Sequence, residues 1–228
     1  MLWVIGGLVI VALVFGPIAW VRWVMRRYGE PLESLPGTGG ELAHHLLQRF
    51  AIEGVGVEMT ERGDHYDPQA RMVRLSPENH AGKSLTAVAI AAHEVGHAIQ
   101  HHQEDAALAA RTRLAPWVDR VARISAAAIW IAPLIGLLLR HPVPFSALVL
   151  VGLSGMLARM LMHLFTLPTE WDASFGKALP ILTGGQYIET GQAVAVRKIL
   201  RAAALTYVAA ALADVLNLFR WAMLLLRR

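Results

Sequence analysis

Residues Leu2 to Val21 form an unbroken run of twenty apolar side chains. As an α-helix rising 1.5 Å per residue, the run is about 30 Å long, the thickness of a bilayer's hydrocarbon core. Inside that layer every backbone N–H and C=O must find its partner within the protein, which leaves such a segment little choice but a helix. Trp20 and Trp23 stand at its end and Arg22, Arg26 and Arg27 follow, the aromatic and basic signature of a membrane interface. No basic residue precedes the run and no small-x-small cleavage site follows it, so an anchor is expected in place of a cleaved leader.

Three further apolar stretches follow. One lies between Arg123 and Arg140 with Pro133 inside it, one runs from Pro142 to about Phe165 with Arg159 near its end, and one runs from Ala202 to about Leu226, interrupted by Asp214 and Arg220. About four transmembrane helices are therefore expected. Composition agrees: 55% of the 228 residues are hydrophobic and only 17% charged, against about 45–50% and about a quarter in soluble domains. Cysteine is absent, which excludes disulfides, thiolate metal sites, iron–sulfur clusters and cysteine nucleophiles. With the N-terminus outside, the inner flanks carry Arg22, Arg26, Arg27, Arg111, Arg113, Arg120, Arg123, Lys177, Arg197, Lys198 and Arg201, and the outer flanks only Arg140, Arg227 and Arg228. That imbalance predicts that the two long polar segments face the cytoplasm. It also accounts for the net charge of +4 without a nucleic-acid partner.

The expected organisation is an anchor at 1–27, a polar part at 28–115, two transmembrane helices at 116–165, a second polar segment at 166–201 and a last transmembrane helix at 202–228. In the first polar part, Leu42, Leu46 and Phe50 recur at helical spacing, and Gly54 is expected to end that helix. Val55, Val57 and Met59 alternate, as do Val73 and Leu75, and the charged stretch Glu61 to Pro68 lies between them. This pattern predicts a β-hairpin with a long turn. Ser76-Pro77 marks a helix start, and an alanine-rich helix is expected from about Ser84 to Gln103.

That helix contains His93-Glu94-Val95-Gly96-His97, an H-E-x-x-H motif. Histidines four apart lie one above the other on a helix face, so both imidazoles can bind one Zn²⁺. Glu94, one residue on, borders the place of the water that zinc would activate and is the candidate general base. An ionisable cluster in so apolar a helix is costly unless paired or metal-bound. A catalytic zinc site needs a third protein ligand and an open position. His101 lies about 12 Å along the axis from His93 and cannot share its ion. Gln100 and Gln103 stand where the metzincin extension requires glycine and histidine. The third ligand must also lie on the same side of the membrane, which removes His141. Glu170 and Asp172, in Leu167-Pro168-Thr169-Glu170-Trp171-Asp172-Ala173-Ser174, remain as candidates. Proline and threonine there suggest a new helix start, at which both acids could simply complement the helix dipole.

Several segments match a known family in order: Asp64-His65-Tyr66-Asp67-Pro68, Val73-Arg74-Leu75-Ser76, Ala91 to His101 around the motif, Leu167 to Ser174, and Ala202 to Leu212. Together they resemble the bacterial neutral zinc metallopeptidases of the YugP-like membrane family, with a more distant similarity to the HtpX and CAAX prenyl protease families. The resemblance implies a multi-pass protein of the bacterial inner membrane, hydrolysing a peptide or protein with zinc as cofactor. It implies that Glu170 joins His93 and His97 as a metal ligand. In the distant relatives an aspartate follows that glutamate by four residues, where this chain has Ser174; Asp172 comes two after. The resulting expectation is a mainly α, helical integral membrane protein with a small α+β, zincin-like catalytic part and Glu94 as general base. Two other readings stay open: a protease cutting within the bilayer, against which no Asp-Gly dipeptide occurs, and a scaffold that uses zinc only to tie helices. His65 and Tyr66 are weaker candidates for the cleft. Arg159, His163 and Asp214 are ionisable groups within or near apolar spans.

Overall fold

The computed structural model describes the backbone of residues 2–226, and their side chains apart from those of 2–11, 13, 14, 142, 220 and 222–226. The chain is mainly helical with one small sheet. Helix α1 is Leu2–Arg27, α2 Gly39–Arg49, α3 Pro77–His80, α4 Leu85–His102, α5 Ala106–Leu139, α6 Pro142–Trp171, α7 Leu179–Gly184 and α8 Ala193–Leu226. Residues Asp172–Ala178, between α6 and α7, wind as a π-helix, and Thr190–Gln192 form a 3₁₀ turn before α8.

Among the described residues three helical stretches, and not four, are long and apolar enough to cross a membrane: Ala106–Leu139, Val143–Gly184 and Thr190–Phe219. The first apolar run does form helix, within α1, but most of its side chains lie outside the described residues, as do Arg227 and Arg228. The three stretches turn apolar side chains outward. Trp130 is 84% exposed and Leu137 75%, surface that water would penalise and lipid would not.

The chain divides into two compact units. One comprises Met1–Gly16, Ala110–Leu167 and Tyr207–Arg228; the other comprises Pro17–Ala109 and Pro168–Thr206. In the first, α5 and α6 approach closely at Gly155, where an added Cβ would run into the side chain of Ser125. Small residues at such crossings are how apolar helices gain van der Waals contact within a membrane.

The second unit is built around α4. Ser84 caps it, its hydroxyl accepting from the Ala87 N–H at 3.1 Å, and Gln103 closes it, as the sequence leads one to expect. Every residue from Leu85 to Gln100 is buried. A helix covered on all sides needs small residues where neighbours press closest, which explains its alanines. Helix α2 begins with a reciprocal capping box: Thr38 accepts from the Glu41 N–H while the Glu41 carboxylate accepts from that of Thr38. It buries Ala43, Leu46 and Leu47, and ends before Phe50. Gly54 therefore does not terminate it. Ala51, at φ +51°, already turns the chain, and Gly54, at φ +73°, belongs to the entry into the sheet.

The expected hairpin is not formed. Strands β1 Gly56–Met59 and β3 Met72–Leu75 run parallel, with Val57 opposite Val73, and a third strand, β2 His65–Asp67, pairs antiparallel with β3, so the order is β1-β3-β2. The cause lies in the charged stretch between them. Asp64 accepts from the backbone and hydroxyl of Ser76 and from Asn79 Nδ2 at 2.7–3.0 Å. This pins the chain at the far end of β3, from which β2 must run back. The tight turn is Pro68–Arg71, where the Asp67 carboxylate accepts from the Gln69 and Ala70 N–H groups. Those hydrogen bonds to backbone N–H, with the Arg74 guanidinium, hold the Asp67 carboxyl below its usual range against a smaller opposing effect of burial. Arg74, on the central strand, pairs with Glu58 on one neighbour and Asp67 on the other.

Candidate metal centre

His93 and His97 project from the buried middle of α4, and Glu170 from the last turn of α6. All three are nearly inaccessible, at 4%, 5% and 2% exposure. One donor atom of each lies within 4.8 Å of the others, and among the described residues no other such group forms. His93 Nε2 stands 3.3 Å from one Glu170 oxygen and His97 Nε2 3.5 Å from the other. These spacings exceed the roughly 2.7–2.9 Å of a charge-assisted hydrogen bond. Each histidine faces a different oxygen of the one carboxylate, and two imidazoles with a carboxylate are a donor set that suits a divalent ion such as zinc.

The outer nitrogens are also engaged. His93 Nδ1 lies 3.1 Å from Ser174 Oγ, whose hydroxyl faces the Leu200 carbonyl at 3.5 Å. His97 Nδ1 lies 2.9 Å from Gln100 Oε1. Gln100 Nε2 donates to the Thr169 carbonyl at 3.0 Å and to Asp172 Oδ2 at 2.9 Å, and Lys177 Nζ stands 3.3 Å from the same oxygen. Such backing partners turn ligand imidazoles so that the other nitrogen faces the metal.

The segment bearing Glu170 departs from expectation. No helix starts at Pro168; α6 passes through it, and Thr169 is no cap. Glu170 and Asp172 therefore do not sit in a first turn complementing a dipole. From Asp172 the helix widens, the Leu179 N–H reaching back five residues to the Ser174 carbonyl. Single π turns recur at functional sites. This one packs against α4 at Gly96, where an added Cβ would lie 2.8 Å from the Ala173 carbonyl oxygen.

Glu94 is buried beside His93 and stands outside the three-residue group. Of the two acids open from sequence, Glu170 meets the histidines and Asp172 meets Gln100. His101 instead takes the Tyr66 hydroxyl at 2.7 Å, and His65 turns back to the Gly63 carbonyl within its own loop. Burial of Tyr66 raises its phenol above its ordinary value, Arg71 opposing and Asp67 adding to the shift. Asp214 lies in the other unit, 3.6 Å from His163 Nε2 and 3.9 Å from Arg159 Nε. Sequence reasoning used Gln100 only to exclude the metzincin extension and missed its place beside His97. Its position three residues after His97, on the same helix face, was the available signal.

A buried pair of imidazoles one helical turn apart, closed by a carboxylate from a second segment and carried by an apolar helical chain, makes a group that could hold a metal ion in a chain of membrane character. The chain belongs to the family described as "Putative neutral zinc metallopeptidase", whose model matches residues 3–226. It is 37% identical, over 214 residues covering 90% of this chain and 88% of the relative, to the "Putative membrane protease YugP" of Bacillus subtilis (strain 168). No solved structure matches.

Proposed function

We propose that the chain is a zinc-dependent endopeptidase of the bacterial inner membrane, with its zinc site facing the cytoplasm. The observation that carries this reading is the buried His93–His97–Glu170 triangle at ligand spacing. His93 and His97 hold the ion through Nε2 and Glu170 through a carboxylate oxygen. When bound, zinc supplies the Lewis acidity that makes water a nucleophile near neutral pH. The Glu94 carboxylate receives the proton that water gives up and returns it to the leaving amine. Burial of all four side chains excludes bulk water, in which their electrostatic effects would be weaker. The excess of basic residues on one set of flanks supports the cytoplasmic orientation.

One observation favours a second reading, cleavage within the bilayer: the apolar stretch Val143–Gly184 includes Glu170. The purified protein in detergent, offered a soluble unstructured polypeptide and a transmembrane one, separates the two. Cleavage of the soluble chain supports the first reading, and cleavage confined to the transmembrane chain supports the second. Glu94→Gln is expected to keep zinc at wild-type stoichiometry and lose hydrolysis of either substrate. Unchanged hydrolysis would remove Glu94 from the reaction.

A further inference from the structure

Gln100 is fully buried, at 1% exposure, and its amide touches three groups. On one side are the Thr169 carbonyl and the Asp172 carboxylate, at 3.0 and 2.9 Å. On the other is His97 Nδ1, at 2.9 Å. A carbonyl and a carboxylate can only accept, so the amide must turn its NH₂ toward them. Its oxygen then faces His97 and can only accept in turn. His97 Nδ1 must carry a proton, so in the neutral ring Nε2, the atom facing Glu170, carries the lone pair.

We infer that Gln100 is the positioning residue of the metal centre: through its amide, Asp172 and Thr169 lock His97 in the tautomer that can bind metal. The same side chain ties α4 to the backbone immediately before Glu170, so one residue holds two ligands of different segments in register. Lys177 Nζ, 3.3 Å from the same Asp172 oxygen, adds a second contact that holds this carboxylate in place. His93 is backed by a longer relay: the Ser174 hydroxyl donates to the Leu200 carbonyl at 3.5 Å and its oxygen faces His93 Nδ1 at 3.1 Å. The shorter contacts of Gln100 make the hold on His97 the tighter of the two.

This inference rests on the zinc reading, and its test separates the two. In the metal-free protein at pH 8, ¹⁵N shifts of histidine, assigned with a His97 variant, are expected to show Nδ1 protonated and Nε2 bare at His97. The opposite tautomer would overturn the inference whether or not zinc binds. In competition with a graded chelator, Gln100→Leu is expected to bind zinc about 10–100-fold more weakly than wild type. Gln100→Glu sets a carboxylate against Asp172 and is expected to lose affinity as well. Adding Asp172→Asn to it restores an amide–carboxylate pair with the roles exchanged and is expected to recover part of the loss, the Thr169 carbonyl still facing a carboxylate oxygen; a merely space-filling role would give no such rescue. Folded Gln100→Leu with wild-type affinity would overturn the inference. If Gln100→Leu does not fold, the tautomer and the double variant decide. Wild-type protein that fails to bind zinc, yet shows the expected tautomer, would sink the zinc reading and leave the lock standing.

Discussion

At the scale of residues, the acids near the end of α6 are separated by what they touch. Glu170 meets both imidazoles, whereas Asp172 meets Gln100 and Lys177. Glu170→Ala is expected to empty the centre under mild chelation. Asp172→Ala should weaken zinc by about 10–100-fold, as backing groups do. His101→Ala should matter least, since its partner is Tyr66. Zinc content after dialysis against a chelator series, with folding checked by circular dichroism, measures all three; a metal-free Asp172→Ala beside a metal-loaded Glu170→Ala would reverse the assignment. His93 and His97 were legible because a helix puts residues four apart on one face. The residues alone set Glu170 ahead of Asp172, and the family resemblance strengthened that choice. Gln100 was not legible, because its role depends on a carbonyl and a carboxylate that a separate segment brings to it.

At the scale of elements, the approach of α4 to the π turn is the tightest demand. Alanine is ordinarily the better helix former, by about 1 kcal/mol over glycine. At Gly96 its methyl would press on the Ala173 carbonyl oxygen. Gly96→Ala is therefore expected to lower stability by about 1–3 kcal/mol, the range of an overpacked core, and to weaken zinc binding by moving the segment that bears Glu170 and Ser174. Thermal unfolding in detergent and zinc competition read the two effects, and a stabilised variant would show that the segments part at no cost. Elements whose ends are chemically marked were well read: Ser84 and Gln103 bound α4 as expected. The sheet was misread because alternation reports which side chains face inward, not which strand lies beside which. The partners of Asp64, residues distant in the chain, decide that pairing. The helix start expected at Pro168 failed because losing one N–H bends or weakens a helix without obliging it to end.

At the scale of the whole molecule, the basic flanks predict one arrangement across the membrane. Reporter fusions after Tyr28 and near Lys177 should both report the cytoplasm, and a fusion after Arg140 the opposite side. Tyr28 and Lys177 on opposite sides would separate the two halves of the centre and refute it. The spacing of those halves also bears on how the protein is made. Ser174 follows His93 by 81 positions, and two membrane-length helices, α5 and α6, are synthesised between α4 and the π turn. On the proposed reading, a nascent chain that has emerged only through α4 carries His93, Glu94 and His97 but not Glu170. That carboxylate arrives with the last turn of α6, so the centre can assemble only after two membrane-length helices have been made and with α8 still to come.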